Sequence, residues 1–253
     1  MRRFIGKIPR ILRFAGSSLL ELCFPRVCAG CGKINVLDAG FWCRHCREEL
    51  TIIGSPFCPR CGRPFQNAPE SSDHLCGECM ESAFHFDTAR SAVLHTGIVR
   101  DRIHQYKFGG RLYWIPAFVE LCESTCARWH LEPLDLIMPV PLHLKRLKER
   151  GFNQSGLLAK ELGRRLNVRV SFDSLVRSIW TQPQTRLNRE DRLKNVRGAF
   201  AVTNPGTVRN GRILVVDDVF TTGETLSECA RTLKKAGAAE VHALTITRAL
   251  PRT

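Results

Sequence analysis

Four Cys-x-x-Cys pairs crowd one stretch of the chain and limit what that stretch can become. They are Cys28-Ala-Gly-Cys31, Cys43-Arg-His-Cys46, Cys58-Pro-Arg-Cys61 and Cys76-Gly-Glu-Cys79. Each pair puts two thiolates on one tight turn, and Zn²⁺ takes four thiolates in a tetrahedron. Four pairs therefore make two closed Cys₄ sites. A full thiolate set leaves no open coordination position, so both sites read as structural. Sequential pairing groups Cys28, Cys31, Cys43 and Cys46 in one site and Cys58, Cys61, Cys76 and Cys79 in the other. It closes shorter loops than a crossed pairing and is preferred on that ground. A thioredoxin-type dithiol is the competing reading, and four such pairs in succession disfavour it. His45, His74 and His85 are bystanders, since neither site is short of a ligand. Ribbons of this kind serve as structural props or present basic loops to nucleic acid, and spacing does not choose between the two.

The rest of the composition bounds the class of protein. At 253 residues the chain suffices for one large domain or two smaller ones. Its 43% hydrophobic and 25% charged residues are those of an ordinary soluble protein. Twelve cysteines without a secretory signal point to a reducing compartment and metal ligation. Cys122, Cys126 and Cys229 have no knuckle partner, and apolar packing is their default. Lys+Arg 38 against Asp+Glu 24 gives a formal charge of +14, which suits polyanionic partners: nucleic acid, phosphorylated ligands or anionic lipid. No apolar run is long enough to span a bilayer. Residues 1–22 are basic and amphipathic, with Phe4, Ile8, Ile11, Leu12, Ala15, Leu19 and Leu22 on one helical side. A peripheral membrane contact, a helix packed on the protein itself and an organellar transit peptide all fit that segment.

From about Phe86 the pattern turns to strand–helix alternation, which implies a mostly parallel sheet with helices on both faces. Strands are expected over Ala89–Leu94, Leu134–Val140, Ile213–Val216 and Val241–Thr247. Helices are expected over Val99–Phe108, Pro116–Trp129, Gln154–Leu166 and Glu224–Ala236. Ligands in such sheets bind at the carboxyl ends of the strands. There the segment Ile213-Leu214-Val215-Val216-Asp217-Asp218-Val219-Phe220-Thr221-Thr222-Gly223-Glu224-Thr225 places two carboxylates before a Thr/Gly loop that opens a helix. Backbone N–H groups at a helix start attract an anion, and Gly223 lets the backbone approach it. Asp217 and Asp218 would repel a phosphate, so their partners are sugar hydroxyls or a divalent cation. Phosphate, diol and metal together fit a phosphorylated ribose. The plainer alternative is a strand–turn–helix with a solvated acidic turn.

This segment resembles the phosphoribosyl pyrophosphate (PRPP) signature of type I phosphoribosyltransferases. Further matching segments are Tyr106-Lys107-Phe108-Gly109-Gly110, Pro139-Val140-Pro141-Leu142, Arg150-Gly151-Phe152-Asn153-Gln154 and Asn195-Val196-Arg197-Gly198-Ala199-Phe200. With the double zinc ribbon ahead of them, they are similar to the competence protein F (ComF) family from about Leu19 to the end. The resemblance implies an α/β chain: an amphipathic segment (1–22), a double zinc ribbon (23–85) and a phosphoribosyltransferase-like domain (86–253). It implies two structural Zn²⁺, and PRPP held with Mg²⁺ by Asp217, Asp218, Thr221, Thr222, Gly223 and Thr225. Lys107, Arg146, Arg150, Arg192 and Arg197 become pyrophosphate or nucleic-acid contacts.

The implied role is uptake or use of DNA in natural transformation, in the cytoplasm at the inner face of the cell membrane. The implied partners are single-stranded DNA and a helicase-like competence protein. Trp114, Trp180 and Phe152 would help grip a strand if exposed. The alternative is an active phosphoribosyltransferase, passing phosphoribosyl from PRPP to a nucleobase or amine with release of pyrophosphate. No catalytic residue is assigned. The short region after Val241 shows no base-recognition loop, which favours binding over salvage chemistry.

Overall fold

The computed structural model describes residues 25–34, 40–65, 72–81, 84–179 and 196–250. The amphipathic segment 1–22, Trp180, Arg192 and Asn195 lie outside them. The described helices are α1 (Arg44–Glu48), α2 (Gly77–Glu81), α3 (Gly97–Phe108), α4 (Ile115–Ala127), α5 (Leu144–Arg150), α6 (Gln154–Leu166), α7 (Pro205–Val208) and α8 (Glu224–Lys235). The strands are β1 (Thr88–Leu94), β2 (Leu136–Pro139), β3 (Leu175–Arg177), β4 (Phe200–Val202), β5 (Arg212–Phe220) and β6 (Glu240–Arg248).

The cysteine-rich region folds the same way twice. In the first ribbon Val27 bridges Ile34 and the Gly32 N–H donates to Cys28 O at 2.9 Å. In the second, Phe57 bridges Pro64 and the Gly62 N–H donates to Cys58 O at 2.8 Å. Each remaining cysteine pair sits where a short helix begins, at Cys43 before α1 and Cys76 before α2.

β1, β6, β5 and β2 form a parallel sheet in that order, while β3 and β4 make a separate antiparallel hairpin. Side chains alternate across a strand, so one sequence face feeds one core. Ile137, Leu214, Val216, Leu244 and Ile246 pack with Phe118 and Cys122 of α4 and Leu158 and Leu162 of α6. Leu136, Met138, Ile213, Val215, Val241 and Ala243 pack with Leu226, Cys229 and Leu233 of α8. Both faces are therefore covered, as an all-parallel sheet requires.

The two ribbons join opposite cores. Cys28, Cys46 and Trp42 belong to the α4/α6 side, whereas Cys58, Cys61, Cys76 and Cys79 belong to the α8 side with Phe84 and Phe86. The chain between the ribbons runs along the outer edge of β1. Leu94 N–H donates to Thr51 O at 2.9 Å and Ile53 N–H to Ala92 O at 3.1 Å. That contact occupies edge groups that would otherwise template pairing with another chain.

β5 is longer than the apolar run Ile213–Val216 foretells. It continues through both carboxylates because β6 keeps pairing with it, Asp217 opposite Thr245 and Phe220 opposite Arg248. β2 stops earlier, with Pro139 opposite Val216, and its chain then turns away. Asp217 and Asp218 thus lie on a strand exposed on one edge only. Long-range pairing, invisible to local periodicity, made the difference. Arg146 and Arg150 sit on the short helix α5.

Candidate functional site

A cleft of about 740 Å³ opens over the carboxyl ends of β2 and β5. It gathers most of the sequence-derived residues. Asp217, Asp218, Thr221, Gly223 and Thr225 line it from β5 and the start of α8, and Lys107, Arg146 and Arg150 from α3 and α5. Val140, Pro141 and Leu142 form the wall after β2. Two expected residues are not part of the lining. Thr222 is half-buried outside it, and Arg197 is exposed at a turn whose Gly198 N–H is held by Glu228 at 2.6 Å. Glu228 lies a turn further along α8 than the helix start, and this carries Arg197 away from the loop. Arg192 lies outside the described residues. Trp114 is 5% exposed and Phe152 is partly buried against the core. Neither offers an open stacking face.

The acidic pair is held by two neighbours and by its own backbone. Ser155 Oγ donates to Asp217 Oδ1 at 2.7 Å, and the Asp218 N–H donates to the same oxygen at 2.9 Å. Lys107 Nζ sits 2.9 Å from Asp218 Oδ1. Burial, and then the Asp218 charge, push Asp217 up to about 7, against the pull of Ser155 and Lys107. Asp217 thus keeps its proton more readily than an ordinary carboxyl, while Asp218 has a cation beside it.

Lys107 is placed by a small network. Tyr106 OH donates to Gln154 O at 2.7 Å, Gln154 Nε2 to Lys107 O at 3.3 Å, and Arg150 Nη1 to Gln154 Oε1 at 3.3 Å. These bonds tie the end of α3 to the start of α6, so Tyr106, Lys107, Arg150 and Gln154 act together although they are far apart in sequence.

Three lining residues were not foreseen. Ser155 directly follows Arg150-Gly151-Phe152-Asn153-Gln154, and its place in the first turn of α6 was the available signal. His95, at the end of β1, bonds Thr247 Oγ1 through Nδ1 at 2.9 Å, and burial, then Lys107, lower its pKa. Arg177 comes from β3, and burial, then Arg146, disfavour its charged form. Arg146 is pressed the same way by burial and then by Arg150. Crowded guanidinium groups gain from a polyanion between them.

The loop itself has the form of an anion site. Gly223 adopts φ 80° immediately before α8, a left-handed conformation natural to glycine. A Cβ there would fall 2.6 Å from the Phe220 ring and 3.0 Å from Phe84, so the backbone turns against aromatic rings. α8 starts at Glu224, directly after this turn, and Thr221 and Thr225 line the cleft on either side of the helix start.

The cysteine sets close as sequential pairing expects. Within each set of four, the ligand atoms lie within 4.8 Å of one another. Cys31 Sγ is 3.9 Å from Cys43 Sγ, and Cys61 Sγ is 3.7 Å from Cys76 Sγ. A tetrahedral zinc with 2.3 Å bonds requires sulfur separations of about 3.8 Å, so both sets fit that ion. Burial raises the Cys28 pKa, but backbone N–H groups led by that of Cys43 overcome it and bring the thiol down to about 6. His45 pairs with Glu49, His74 stacks on Phe65 and His85 bonds Ser227. Cys122 and Cys229 are fully buried in the two cores.

Sequence comparisons agree with this architecture. The double zinc ribbon domain matches residues 19–80 and the phosphoribosyl transferase domain residues 151–252. The DNA utilization protein YhgH of Escherichia coli (strain K12) is 33% identical over 221 residues, covering 85% of this chain and 94% of its own. Competence protein ComFC of Bacillus subtilis (strain 168) is 30% identical over 213 residues, covering 81% and 83%. Competence protein F of Haemophilus influenzae is 28% identical over 230 residues, covering 88% and 96%. Two structural zinc ribbons ahead of a phosphoribosyltransferase-type sheet, in a chain matched nearly end to end by these relatives, make this protein a member of the ComF family.

Proposed function

We propose that this protein serves the use of DNA, as its relatives' names indicate for them, and that its cleft binds PRPP. The observation that carries the ligand is the junction of β5 and α8. A left-handed glycine, two cleft-lining threonines and a helix start suit a 5′-phosphate, and the adjacent Asp217 and Asp218 suit the ribose diol. Arg146, Arg150 and Arg177 line the same cleft and supply charge for a diphosphate. The chain's +14 charge favours single-stranded DNA as the second partner.

Mg²⁺ fits as an ion that arrives with the diphosphate. Lys107 already stands against one carboxylate, Asp218, so the ion would draw further oxygen ligands from the diphosphate itself. When bound, Mg²⁺ supplies charge neutralisation of the diphosphate. Asp217 and Asp218 would be the residues that hold it together with the ligand, with Ser155 and Lys107 fixing their orientation.

Calorimetry with PRPP and Mg²⁺ tests this reading. The double variant Asp217→Ala/Asp218→Ala should weaken binding by about a hundredfold, two carboxylate–hydroxyl contacts being worth roughly 3 kcal/mol together. Undetectable binding to the wild type would refute it. Nucleobase-dependent pyrophosphate release would instead establish the transferase alternative.

A further inference from the structure

Arg248 ends β6, is 3% exposed and carries a charge that needs an anion. No carboxylate among the described residues pairs with it. Its Nη1 donates to Cys61 O at 2.7 Å and its Nη2 to Cys61 Sγ at 3.5 Å. Its guanidinium lies 4.1 Å from the centre of the Phe220 ring, and Nε finds no hydrogen-bond partner. Four thiolates around Zn²⁺ carry a net charge of −2, so the second metal centre is the counter-ion available to this buried cation.

The other side of Arg248 leads to the loop. Phe220 is its partner in the β5–β6 register, and Ala249 N–H donates to Phe220 O at 2.8 Å. The Phe220 ring meets Phe84 edge-on, at 6.3 Å between centroids, and both rings press on the Gly223 position. Arg60, inside the Cys58–Cys61 turn of the second ribbon, donates to Phe84 O. A continuous set of contacts therefore runs from the second cysteine site through Arg248, Phe84 and Phe220 to the turn that opens α8. Among the described residues, the first ribbon makes no hydrogen bond or ring contact with Arg248, Phe84, Phe220 or Gly223; its bonds go to α3 and α4.

We infer that Arg248 is a positioning residue through which the second metal centre, and not the first, holds the phosphate-type loop in shape. Loss of the second metal would remove the counter-ion, leave a guanidinium buried under Phe220 and loosen Thr221–Thr225. The inference concerns the support of the loop and stands whichever ligand the loop takes.

Hydrogen exchange read by mass spectrometry, with zinc content measured on the same samples, is the test. Cys31→Ser should lose one zinc and leave exchange of Thr221–Thr225 at the wild-type rate. Cys76→Ser and Arg248→Met should each raise that rate about tenfold, and Arg248→Lys, which keeps the charge, should recover most of the protection. If Cys76→Ser fails to fold, Arg248→Met and stepwise chelation of the wild type decide the matter. Chelation should loosen the loop only when the second zinc leaves. Unchanged loop exchange in Arg248→Met, or equal loosening after loss of either zinc, would overturn the inference. PRPP added to the wild type provides the separate arm: it should slow release of the second zinc and not the first. Loop exchange that responds as expected while PRPP fails to bind would sink the ligand reading and leave the support role standing.

Discussion

The two ribbons share a ligand set and a local fold, yet they rest on different parts of the molecule. The first touches helices. Trp42 Nε1 donates to Ala117 O at 3.3 Å, Arg47 pairs with Glu120 at 2.8 Å, and Arg102 bonds Gly30 O. The second touches the sheet. Ala89 N–H donates to Arg60 O at 2.7 Å, Arg90 Nη1 to Pro59 O at 2.8 Å, and Arg248 to Cys61 O. All four cysteines of the second site are buried, whereas Cys31 of the first is exposed and Cys43 half-buried. One metal-binding design therefore sits half open to solvent in one place, with Cys31 and Cys43 reaching the surface, and wholly inside a core in the other. Exposure and attachment, rather than ligand chemistry, set how much each site matters to the rest of the chain.

Removal of a metal ligand should break this symmetry most visibly. Cys76→Ser leaves three buried thiols without their ion, inside the core that holds Phe84, Phe86 and Met138. Its expected cost is on the order of 3–5 kcal/mol, with a lower denaturation midpoint and one zinc per chain remaining. Cys31→Ser also removes one zinc, but its ligand faces solvent and the loss should be nearer 1–2 kcal/mol. Denaturant titration of both variants checks the order. Equal losses would mean that both ribbons belong to one cooperative unit and that burial does not distinguish them.

How much of this was readable beforehand depends on whether the signal was local. The metal ligands were legible because each pair is a tight turn with its own spacing, and two such turns close a site. The β5 strand and its loop were legible for the same reason. The docking of the ribbons on opposite faces of the sheet was not, since Arg60 meets Ala89 and Gly30 meets Arg102 only through the fold. Arg177 and His95 were missed for that reason too: each enters the cleft from a strand whose own sequence carries no motif. Lys107 was singled out as an anion contact, but its nearest charge is Asp218, a relation that depends on α3 reaching β5.

A pair of glycines sharpens the contrast with a single added methyl group. Gly32 and Gly62 follow equivalent knuckles at φ 75° and φ 71°. A Cβ at Gly32 meets nothing within 4 Å, while one at Gly62 would lie 2.6 Å from Ala89 O and 3.3 Å from Arg90 Cα. Gly32→Ala should thus cost only the left-handed strain of about 1 kcal/mol. Gly62→Ala adds a collision with strand backbone, which cannot swing aside, and should cost roughly 3 kcal/mol. Zinc content should stay at two in both, because neither glycine supplies a ligand. A comparable loss in the two variants would show that the second ribbon sits less firmly on β1 than its contacts state.

The mildest probe acts on the first ribbon from outside. Glu120, in α4, accepts from Arg47 Nη2 at 2.8 Å and from the Phe41 N–H at 2.9 Å, using both carboxylate oxygens. Glu120→Gln keeps one acceptor and removes the charge, so one of the two bonds is lost. Because Arg47 is 53% exposed, water compensates in part and the expected loss of stability is about 0.5–1 kcal/mol. The informative readout is kinetic. A ribbon held less tightly to α4 should release its zinc to a chelator about threefold faster, in line with a loss of that size. Release from the buried second site should not change, since Glu120 touches nothing in that core. Acceleration of both phases together would show that strain passes between the ribbons along the 51–53 segment on β1, and the two sites would then have to be treated as one mechanical unit.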